Sequence, residues 1–443
     1  DRHDGGTAGR LVSAADGRAM SLLVLSPEYV SHYGPLAVVA KAARLEGSRV
    51  VVATGPSLRR RVEADGFEWR HLQLGAGSNS GLAECDPGIA RFIAATREGP
   101  IPTMRLQALD READLLWQPE QVAADVARLC DELEPDQVLV DHVSFGSTLA
   151  IYATGRRFAT LVPGHPSQLP IGTERYGVPE VWPLTIRPDP EQLAALETLV
   201  DRVTATFTDR WNSALASIAP GRPEVVDAFR VHGDSVLYNS VGEMLAPSRR
   251  SLLDGDPGHH QFVGPLRRDE QLPEVFRTWA QRVGRRPQVF VSLGTFLSYR
   301  GDVLTRLADA IRHIGGRAAI ATGATPIDDL GPLPNDWIVA PQLPQVALLR
   351  EADLAVHHGG NNSVQESLAA GVRQLVLPFS TDQFSNAADL ERVGAAAVMS
   401  PNDGRTAELA TAIEVGLAAP RHPEIPVVGT DQLARAVLER TRE

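Results

Sequence analysis

Short apolar runs that alternate with helix-forming stretches organise the first part of the chain. Residues 20–26 are almost continuously apolar, which is typical of a strand buried on both faces of a parallel sheet. An Ala-rich stretch at 36–45 predicts a helix, and residues 49–54 predict the next strand. In such strand–helix–strand units, ligands bind beyond the carboxyl ends of the strands. The segment between the first strand and the helix, which contains His32, is therefore predicted to face a cleft.

A second set of alternating apolar strands and helices begins near residue 288. The predicted strands are residues 288–293, 318–322, 337–340, 352–356, 374–377 and 395–399, and the predicted helices include 302–314, 345–350, 364–370 and 431–440. Strands that alternate with helices over this length indicate parallel sheets. The chain is therefore predicted to be an α/β protein with two doubly wound domains.

Changes in composition suggest where these domains begin and end. Residues 1–19 mix Gly, Ala, Arg and Asp without apolar periodicity and are expected to form a flexible leader, since Met20 directly precedes the first strand. Residues 246–273 are rich in Pro, Gly, Arg and Asp, which is typical of an interdomain connection. The expected organisation is an N-terminal domain at 20–245, a linker at 246–273, a C-terminal domain at 274–425 and a final helical segment at 426–443.

Composition and charge narrow the functional classes. The 443 residues are 43% hydrophobic and 22% charged, as in globular proteins that fold in water, and the length suffices for two ordinary domains. The net charge of -12 argues against a general nucleic-acid or anionic-membrane binder. No apolar run approaches the roughly 20 residues that span a bilayer, and no signal peptide is visible. The two cysteines, Cys85 and Cys130, lack metal-ligand spacing, so we expect a reduced, cytoplasmic protein.

One turn in the second half is suited to binding a phosphate group. The apolar strand 352–356 is followed by His357-His358-Gly359-Gly360-Asn361-Asn362-Ser363, and helix-forming residues come next. A helix begins with unpaired backbone N–H groups and the positive end of its dipole, which favour an anion. The glycines let the backbone approach the anion, and Asn362 and Ser363 can either cap the helix or bind a phosphate oxygen. An ordinary capped turn would explain the glycines equally well.

A longer ordered pattern surrounds this turn. Pro341-Gln342 precedes it, Glu366 follows in the predicted helix, and Pro378 and the pair Asp382-Gln383 come later. The order Pro-Gln, then His-x-Gly-x-Asn-Ser-x-x-Glu, then Pro-x-x-x-Asp-Gln resembles the donor-site signature of the UDP-glycosyltransferase-like family (GT1), in its bacterial natural-product form. The resemblance implies the GT-B fold, in which two Rossmann-like domains with doubly wound parallel sheets face a central cleft. It also implies that the C-terminal helix crosses back to the N-terminal domain.

The resemblance further implies which residues bind a nucleoside diphosphate sugar. The expected diphosphate ligands are Gly294, Thr295, His358, Gly360, Asn361, Asn362 and Ser363, the expected nucleoside ligands are Val339, Gln342 and Glu366, and the expected sugar ligands are Asp382 and Gln383. Fixed N–H dipoles and an imidazole donor stabilise a diphosphate that gains charge as it leaves, so neither a metal ion nor a cofactor is expected. UDP and TDP donors both stay open, because Val339 and Ala340 stand where plant members of the family carry a base-stacking tryptophan.

A histidine and a carboxylate in the first half resemble the catalytic pair of the same family. His32-x-x-Pro35 is similar to the family element whose histidine is the general base, and Asp141, after the predicted strand 137–140, matches the position whose carboxylate orients it. A hydroxyl is too weak an acid to ionise at neutral pH, and a neutral imidazole is the side chain best matched to removing its proton. A loop role for Asp141, or a role for the neighbouring His142, is the alternative.

Two irregular regions, 74–119 and 163–190, lie on the predicted cleft side of the N-terminal sheet. In the resembling family such segments shape the acceptor pocket, and Tyr33, Tyr176 and Trp182 are expected to line it. Packing of aromatic side chains beneath a loop would explain either region equally well.

These features together predict an inverting glycosyltransferase of the hexosyltransferase class. The expected partners are a TDP or UDP sugar and a small-molecule natural-product acceptor, whose oxygen or nitrogen attacks the anomeric carbon in a single displacement. Two alternatives stay open, namely a sugar-nucleotide epimerase of related fold and a non-catalytic nucleotide-sugar-binding subunit. Neither a nucleic acid nor a membrane is an expected partner, and monomer and homodimer are both compatible with the sequence.

Overall fold

The computed structural model describes residues 19–75, 87–114, 116–256, 259–281, 284 and 286–438. The predicted leader up to residue 18, Cys85 and the last five residues of the predicted final segment lie outside these ranges. The described residues form two α/β domains, each built on a parallel sheet, which confirms the fold class expected from the alternating pattern.

The N-terminal domain contains a parallel sheet of seven strands in the described part of the chain. The strands are β1 (Ser21–Leu25), β2 (Arg49–Thr54), β3 (Glu68–His71), β4 (Gln137–Asp141), β5 (Ala159–Val162), β6 (Ser235–Tyr238) and β7 (His259–Phe262). Their order across the sheet is β3-β2-β1-β4-β5-β6-β7. Because β1 pairs with both β2 and β4, it lies inside the sheet and is buried along its whole length, as its continuous apolar sequence indicates.

Helices pack on both faces of this sheet. They are α1 (Val30–Leu45), α2 (Arg59–Ala64), α3 (Pro87–Glu98), α4 (Pro100–Asp114), α5 (Pro119–Leu133), α6 (Phe145–Thr154), α7 (Pro190–Ile218) and α8 (Pro247–Gly255). Successive side chains of a strand point to opposite faces. Accordingly, Leu22 and Val24 of β1 belong to the core beneath α1, whereas Leu23 and Leu25 belong to the core beneath α5.

The C-terminal domain has a second parallel sheet, with six strands among the described residues. The strands are β8 (Gln288–Ser292), β9 (Arg317–Ala321), β10 (Ile338–Ala340), β11 (Leu354–His357), β12 (Arg373–Val376) and β13 (Ala396–Val398), in the order β10-β9-β8-β11-β12-β13. The helices are α9 (Arg277–Ala280), α10 (Gly294–Leu297), α11 (Gly301–His313), α12 (Gln345–Leu349), α13 (Asn361–Ala369), α14 (Asp382–Arg392), α15 (Thr406–Ala418) and α16 (Thr430–Leu438).

The segment predicted to be a linker, 246–273, contains elements of the N-terminal domain. Both α8 and β7 fall within it, and β7 pairs in parallel with β6 at the edge of the first sheet. The sequence of β7 is His-His-Gln-Phe and its side chains are half-buried, so it lacks the apolar pattern that signals a strand. The connection between the two sheets therefore begins after Phe262 rather than at residue 246.

The final helix crosses back to the N-terminal domain, as the resemblance implies. Leu433 and Val437 of α16 share a core with Leu36 and Val39 of α1. The helix that begins the N-terminal domain is thus covered by the end of the described chain.

Helix α3 of the N-terminal domain also reaches the C-terminal domain. The hydroxyl of Thr96 accepts a hydrogen bond of 3.2 Å from the buried guanidinium of Arg300, and its carbonyl accepts one of 2.8 Å from Asn402. Phe92 of the same helix packs against the core of the C-terminal domain. The two sheets are therefore held together by contacts on both sides of the cleft.

Candidate active site

The structure brings His32 and Asp141 into direct contact. His32 lies in the first turn of α1, which follows β1, and Asp141 is the last residue of β4, the parallel neighbour of β1, so both lie at the carboxyl ends of adjacent strands. Nδ1 of His32 is 3.0 Å from Oδ2 and 3.2 Å from Oδ1 of Asp141. The carboxylate is fully buried, whereas the imidazole is 21% exposed. With Nδ1 occupied by Asp141, Nε2 is the ring nitrogen left to accept a proton.

The surroundings of His32 make it a stronger base than an isolated histidine. Burial of the ring acts to lower its pKa, but the charge of Asp141, its hydrogen bond and the charge of Asp382 together outweigh burial and raise the pKa above 6.5. Asp382 belongs to the C-terminal domain, so the two domains share one electrostatic environment at this point. Both residues lie at the junction of the domains, since Ser31 next to His32 bonds Asn362 and the carboxylate of Asp382 bonds the N–H of His165.

A second imidazole lies next to this pair. The rings of His142 and His32 are 6.5 Å apart and nearly parallel, with an angle of 24°. Burial lowers the pKa of His142 to about 4, so the ring is neutral at neutral pH. Nδ1 of His142 is 3.9 Å from Asp141, too far for a hydrogen bond. Asp141 is therefore paired with His32 rather than with its sequence neighbour.

Helix α1 begins earlier than predicted. It starts at Val30 instead of residue 36, so His32 lies in a helix rather than in a loop. Pro35 lies inside the helix and has no N–H to donate to the carbonyl of Ser31, four residues earlier. That carbonyl accepts a hydrogen bond of 2.8 Å from the side-chain amide of Asn362 in the C-terminal domain. Pro35 thus leaves an acceptor free for a contact across the cleft.

The predicted phosphate turn lies between β11 and α13, as expected. Gly360 precedes α13, and no side chain of a described residue caps the helix. The backbone N–H groups of the first turn therefore have no capping side chain, which leaves them suited to an anion. Thr295 is exposed in the short helix α10, which follows the neighbouring strand β8.

The ring of His358 lies between two glycines of these turns. A β-carbon on Gly294 would come 2.7 Å from Cε1 of His358, and one on Gly360 would overlap Nε2. Gly294 has φ +72, a conformation that other residues rarely adopt. Burial, with a smaller effect from His357, lowers the pKa of His358 to about 3. The structure therefore places a neutral imidazole, which can donate one N–H, between the two expected phosphate-side turns.

Two asparagines of the phosphate turn have side chains that already contact the N-terminal domain. The amide of Asn361 donates hydrogen bonds to the carbonyls of Pro163, at 2.8 Å, and Asn239, at 2.6 Å, and it is buried. Asn362 bonds Ser31 and also accepts a hydrogen bond of 3.2 Å from Asn239. The side chain of Asn361 is thus unsuited to the diphosphate role expected for it, because burial and two carbonyls hold its donors elsewhere.

Gln345, which is not among the expected site residues, bonds one of the residues expected to bind the nucleoside, Glu366. Its amide donates hydrogen bonds of 2.6 Å to Glu366 and 3.3 Å to the hydroxyl of Ser363. Burial raises the pKa of Glu366, although the bond from Gln345 opposes this effect. Val339 is half-buried at the end of the sheet and Gln342 is exposed. Gln345 begins the short helix α12, and its sequence context gives no signal of this role.

Asp382 begins α14 and is held at the junction of the domains. Its carboxylate accepts hydrogen bonds of 3.2 Å from the backbone N–H of His165 and 3.2 Å from the hydroxyl of Thr381. Burial raises its pKa, partly offset by these bonds and by the charges of His165 and His32. Thr381 has φ +41 and ψ -123, a conformation usual for glycine and costly for a β-branched residue.

Gln383 has a local role in this structure. Its side-chain oxygen accepts hydrogen bonds of 2.9 Å from the N–H of Phe379 and 3.3 Å from that of Ser380, and its amide donates to the hydroxyl of Ser380. These bonds fold the loop that precedes α14. Gln383 therefore shapes the loop that presents Asp382.

His165 is a second residue whose role the sequence did not reveal. Its Nε2 is 3.1 Å from the carboxylate of Asp389 in α14, and its Nδ1 accepts a hydrogen bond of 3.1 Å from the N–H of Ser167. Together with its backbone bond to Asp382, these contacts fix the loop 163–168 against the C-terminal domain. The only sequence signal is that His165 lies between Gly164 and Pro166, which predicts a turn but no partner.

Two of the three expected acceptor-pocket aromatics have other positions. Tyr33 is 1% exposed in the core beneath α1, and its hydroxyl donates a hydrogen bond of 2.7 Å to Asp65. The expectation for Tyr33 is therefore wrong, because neighbouring residues of a helix point about 100° apart. Trp182 is half-buried against Phe384 of α14, with ring centroids 4.8 Å apart, and so packs between the domains.

Tyr176 does line a cavity at the junction of the domains. This cavity has about 300 Å³ of empty space, part of it open to solvent, and its walls include Tyr176, Gln168, Thr381 and Asp382. The Tyr176 ring stacks on Phe229 at 4.3 Å. Thus one of the three expected aromatics lies beside the carboxylate expected to bind the donor sugar.

Two kinds of feature are absent from the described residues. They contain no group of three or more His, Cys, Asp or Glu side chains placed to hold a metal ion. None of their helices combines the length and apolar character that a membrane crossing needs. Cys130 is buried and has no disulfide partner within the described part of the chain.

A known protein family matches the part of the chain that contains the C-terminal site residues. Residues 199–424, just over half of the chain, match the model described as UDP-glucoronosyl and UDP-glucosyl transferase. The chain belongs to this family. The match contains the phosphate turn, Glu366 and Asp382-Gln383, so the resemblance inferred from this region is confirmed.

The chain is also similar to individual members of this family. It is 30% identical over 179 residues to YojK of Bacillus subtilis (strain 168), described as an uncharacterized UDP-glucosyltransferase, and the match covers 40% of this chain and 42% of that protein. The chain thus spans less than half the length of this curated relative.

Solved structures share the fold over nearly the whole chain. The glycotransferase of kitacinnamycin has a TM-score of 0.66 at 20% identity, with 95% of this chain and 96% of that chain covered. The glycosyltransferase VinC in complex with DTDP has a TM-score of 0.60 at 19% identity, with 95% and 94% covered. Together with the two parallel sheets, these likenesses confirm the GT-B fold.

Proposed function

We propose that this chain is an inverting glycosyltransferase that needs no metal ion and moves a sugar from a TDP or UDP donor to a small-molecule acceptor. The observation that carries the proposal is the position of His32. Its Nδ1 is 3.0 Å from Asp141, and the carbonyl of the preceding Ser31 accepts a hydrogen bond of 2.8 Å from Asn362 on the opposite domain. A base held at the junction of the two domains is the arrangement that direct displacement requires.

In this mechanism His32 accepts one proton. The acceptor hydroxyl, or amine, transfers its proton to Nε2 of neutral His32 as its oxygen or nitrogen forms a bond to the anomeric carbon. Asp141 keeps the imidazole in the tautomer with Nδ1–H and stabilises the imidazolium that forms. The bond from the anomeric carbon to the diphosphate oxygen breaks, and its electron pair leaves with the nucleoside diphosphate. A single displacement inverts the configuration at that carbon.

The leaving diphosphate is stabilised by the C-terminal domain. As the glycosidic bond breaks, negative charge grows on the oxygen that faces the first turn of α13 and the ring of His358. Uncapped N–H groups and a neutral imidazole donor lower the energy of this charge without a metal ion. Asp382 accepts hydrogen bonds from hydroxyls of the sugar, and Glu366 accepts those of the ribose.

The family and its relatives support the classes of the two substrates. The family description names UDP-linked sugars, and the VinC structure contains DTDP, so both nucleotides stay in the proposal. The glycotransferase of kitacinnamycin carries the name of a natural product. A small natural product is therefore the proposed acceptor, and a cytoplasmic location with no bound cofactor completes the proposal.

The proposal is tested by incubating the purified chain with UDP-glucose or TDP-glucose and a panel of phenolic and polyol acceptors. Mass spectrometry detects the conjugate, and NMR of its anomeric proton gives the configuration. An inverted glycoside formed equally well after treatment with EDTA is the expected result. A glycoside of retained configuration, or loss of activity with EDTA, would contradict it. An isomerised sugar nucleotide formed without acceptor would indicate an epimerase, and binding without turnover would indicate a non-catalytic subunit.

A further inference from the structure

The cavity beside Asp382 contains a positive charge that the proposed reaction does not use. Arg111, near the end of α4, lines this cavity together with Tyr176, Gly177 and Asp382. No other arginine or lysine is part of the described cavity wall. The cavity thus combines one guanidinium from the N-terminal domain with one carboxylate from the C-terminal domain.

Arg111 has no carboxylate partner among the described residues. Within the described part of the chain, Nη1 of Arg111 donates one hydrogen bond, to the carbonyl of Tyr176 at 3.4 Å, close to the limit for such a bond. Its guanidinium carbon lies 4.8 Å from the centre of the Tyr176 ring, a cation–π contact. The charge of Asp382 reaches it only from beyond ion-pair distance. Most of its five N–H donors therefore have no partner among the described residues, although the group is half-buried and a charged group there normally has one.

Gly177 and Tyr176 together determine the position of the Arg111 guanidinium. A β-carbon on Gly177 would overlap Nη1 of Arg111, so the absence of a side chain makes room for the group. Gly177 has φ +78, which other residues rarely adopt. Tyr176, which forms the other side, is stacked on Phe229 at an angle of 4° and fixed by edge contact with Phe145. A rigid aromatic face and a glycine thus hold the arginine at the cavity wall.

Tyr176 also contributes a hydroxyl group to this region of the protein. Tyr176 lines the cavity together with Asp382, and its ring contacts the guanidinium of Arg111. Burial raises the pKa of this hydroxyl, so it stays protonated and can donate a hydrogen bond. Tyr176 therefore connects the arginine with the proposed reaction centre.

We infer that Arg111 and Tyr176 form a subsite for a carboxylate carried by the substrate that fills this cavity. The inference rests on the proposed function and deepens it, since it names a substrate class. A planar guanidinium with free donors matches a carboxylate, which it binds through two parallel hydrogen bonds. A phosphate fits less well, because Asp382 in the same cavity would repel its second charge. The carboxylate belongs either to the acceptor or to the transferred sugar.

Matched pairs of probes separate these two sources. On the acceptor side, 4-hydroxybenzoate is compared with 4-hydroxybenzamide in the presence of UDP, and on the donor side UDP-glucuronic acid is compared with UDP-glucose. Calorimetry on the whole chain gives the affinity of each probe, so the result does not depend on turnover. The wild type should prefer the carboxylate member of one pair by about 10- to 100-fold, the usual effect of hydrogen bonds to a charged group.

Variants assign any such preference to the arginine. Arg111→Gln should abolish it, and Arg111→Lys, which keeps the charge but loses the planar fork, should retain only part of it. Arg105→Gln, on the exposed face of the same helix, is the matched control and should leave the preference unchanged. Unchanged UDP affinity in each variant shows that the chain is folded.

Two results would overturn the inference. One is equal affinity within both probe pairs in the wild type, and the other is a carboxylate preference that survives Arg111→Gln. Either result leaves the proposed function standing if sugar transfer to neutral acceptors occurs. Failure of the proposed function would appear differently, as nucleotide sugar that is not transferred to any acceptor.

Discussion

The side-chain amide of Asn362 donates a hydrogen bond of 2.8 Å to the carbonyl oxygen of Ser31, and this bond joins the phosphate turn to the helix that carries His32. The carbonyl is free because Pro35, four residues later in the helix, has no N–H. The C-terminal domain and the proposed base are therefore connected by the side chain of Asn362, and Pro35 leaves the carbonyl available to it. Since Ser31 directly precedes His32, this contact holds the proposed base in place relative to the proposed donor site.

Replacing the proline tests this connection. In Pro35→Ala the new N–H can donate to Ser31 and compete with Asn362, although the helix itself becomes more regular. We expect kcat to fall by about twofold to tenfold, the effect of one neutral hydrogen bond of about 0.5–1.5 kcal/mol. UDP affinity and Tm should not fall, which calorimetry and thermal unfolding check.

A double-variant cycle identifies the partner of Ser31. Asn362→Ala should lower kcat to a similar extent, and the variant with both changes should be no worse than Asn362→Ala, because both remove the same bond. Additive losses in the double variant would show that Pro35 and Asn362 act separately and would contradict the connection.

The general-base role of His32 predicts a large loss of rate with intact donor binding. His32→Ala should lower kcat by about 10²- to 10⁴-fold, the usual contribution of a general base. The affinity for UDP or TDP should change little, because the diphosphate is expected to bind the other domain. His313→Ala, at an exposed position in the last turn of α11, is the control and should keep full activity. Normal turnover in His32→Ala would remove this residue from the mechanism.

The pH dependence should follow the raised pKa of His32. The neutral imidazole is the active form, so kcat/KM should rise with pH through a midpoint above 6.5 and then level off. In Asp141→Asn the charge that raises this pKa is lost while burial still lowers it, so the midpoint should move to lower pH as the rate falls. His142 should not add a second midpoint near neutrality, because its pKa is about 4. An unchanged midpoint in Asp141→Asn would contradict the pairing.

The position of His358 between two glycines predicts that a single methyl group weakens donor binding. Gly360→Ala would place its β-carbon on Nε2 of His358 and push the ring from its place. We expect both Gly360→Ala and His358→Ala to weaken UDP or TDP binding by about tenfold or more, the loss of a hydrogen bond to a charged group. Gly255→Ala, where a β-carbon meets nothing within 4 Å, is the matched control. If His358→Ala and Gly360→Ala bind UDP or TDP as tightly as the wild type and Gly255→Ala do, His358 has no phosphate role.

Features set by local sequence could be predicted, and features set by contact between the domains could not. The buried strands β1 and β8 and the glycine turn before α13 follow from apolar runs and an ordered motif and lie where expected, whereas the contact between His32 and Asp141 follows from the family resemblance. The start of α1 was predicted too late because Pro35 normally marks the first turn of a helix, yet here lies inside one.

The misplaced side chains have a common physical reason. Asn361 and Asn362 belong to a motif that suits phosphate, but their amides bond carbonyls of the other domain, which sequence spacing does not reveal. Tyr33 follows His32 directly, and the helical turn sends it to the core. His165, Gln345 and Arg111 had no motif at all, since each acquires its role from partners far away in the chain.

The strained backbone of Thr381 links the thermal stability of the protein to its turnover rate. Its positive-φ conformation stores on the order of 1–3 kcal/mol of strain, and it directly precedes Asp382, the residue proposed to bind the sugar. Thr381→Gly would relieve that strain and should therefore raise the Tm. The same substitution would make the loop that positions Asp382 more flexible, so the more stable variant would turn over its substrates more slowly.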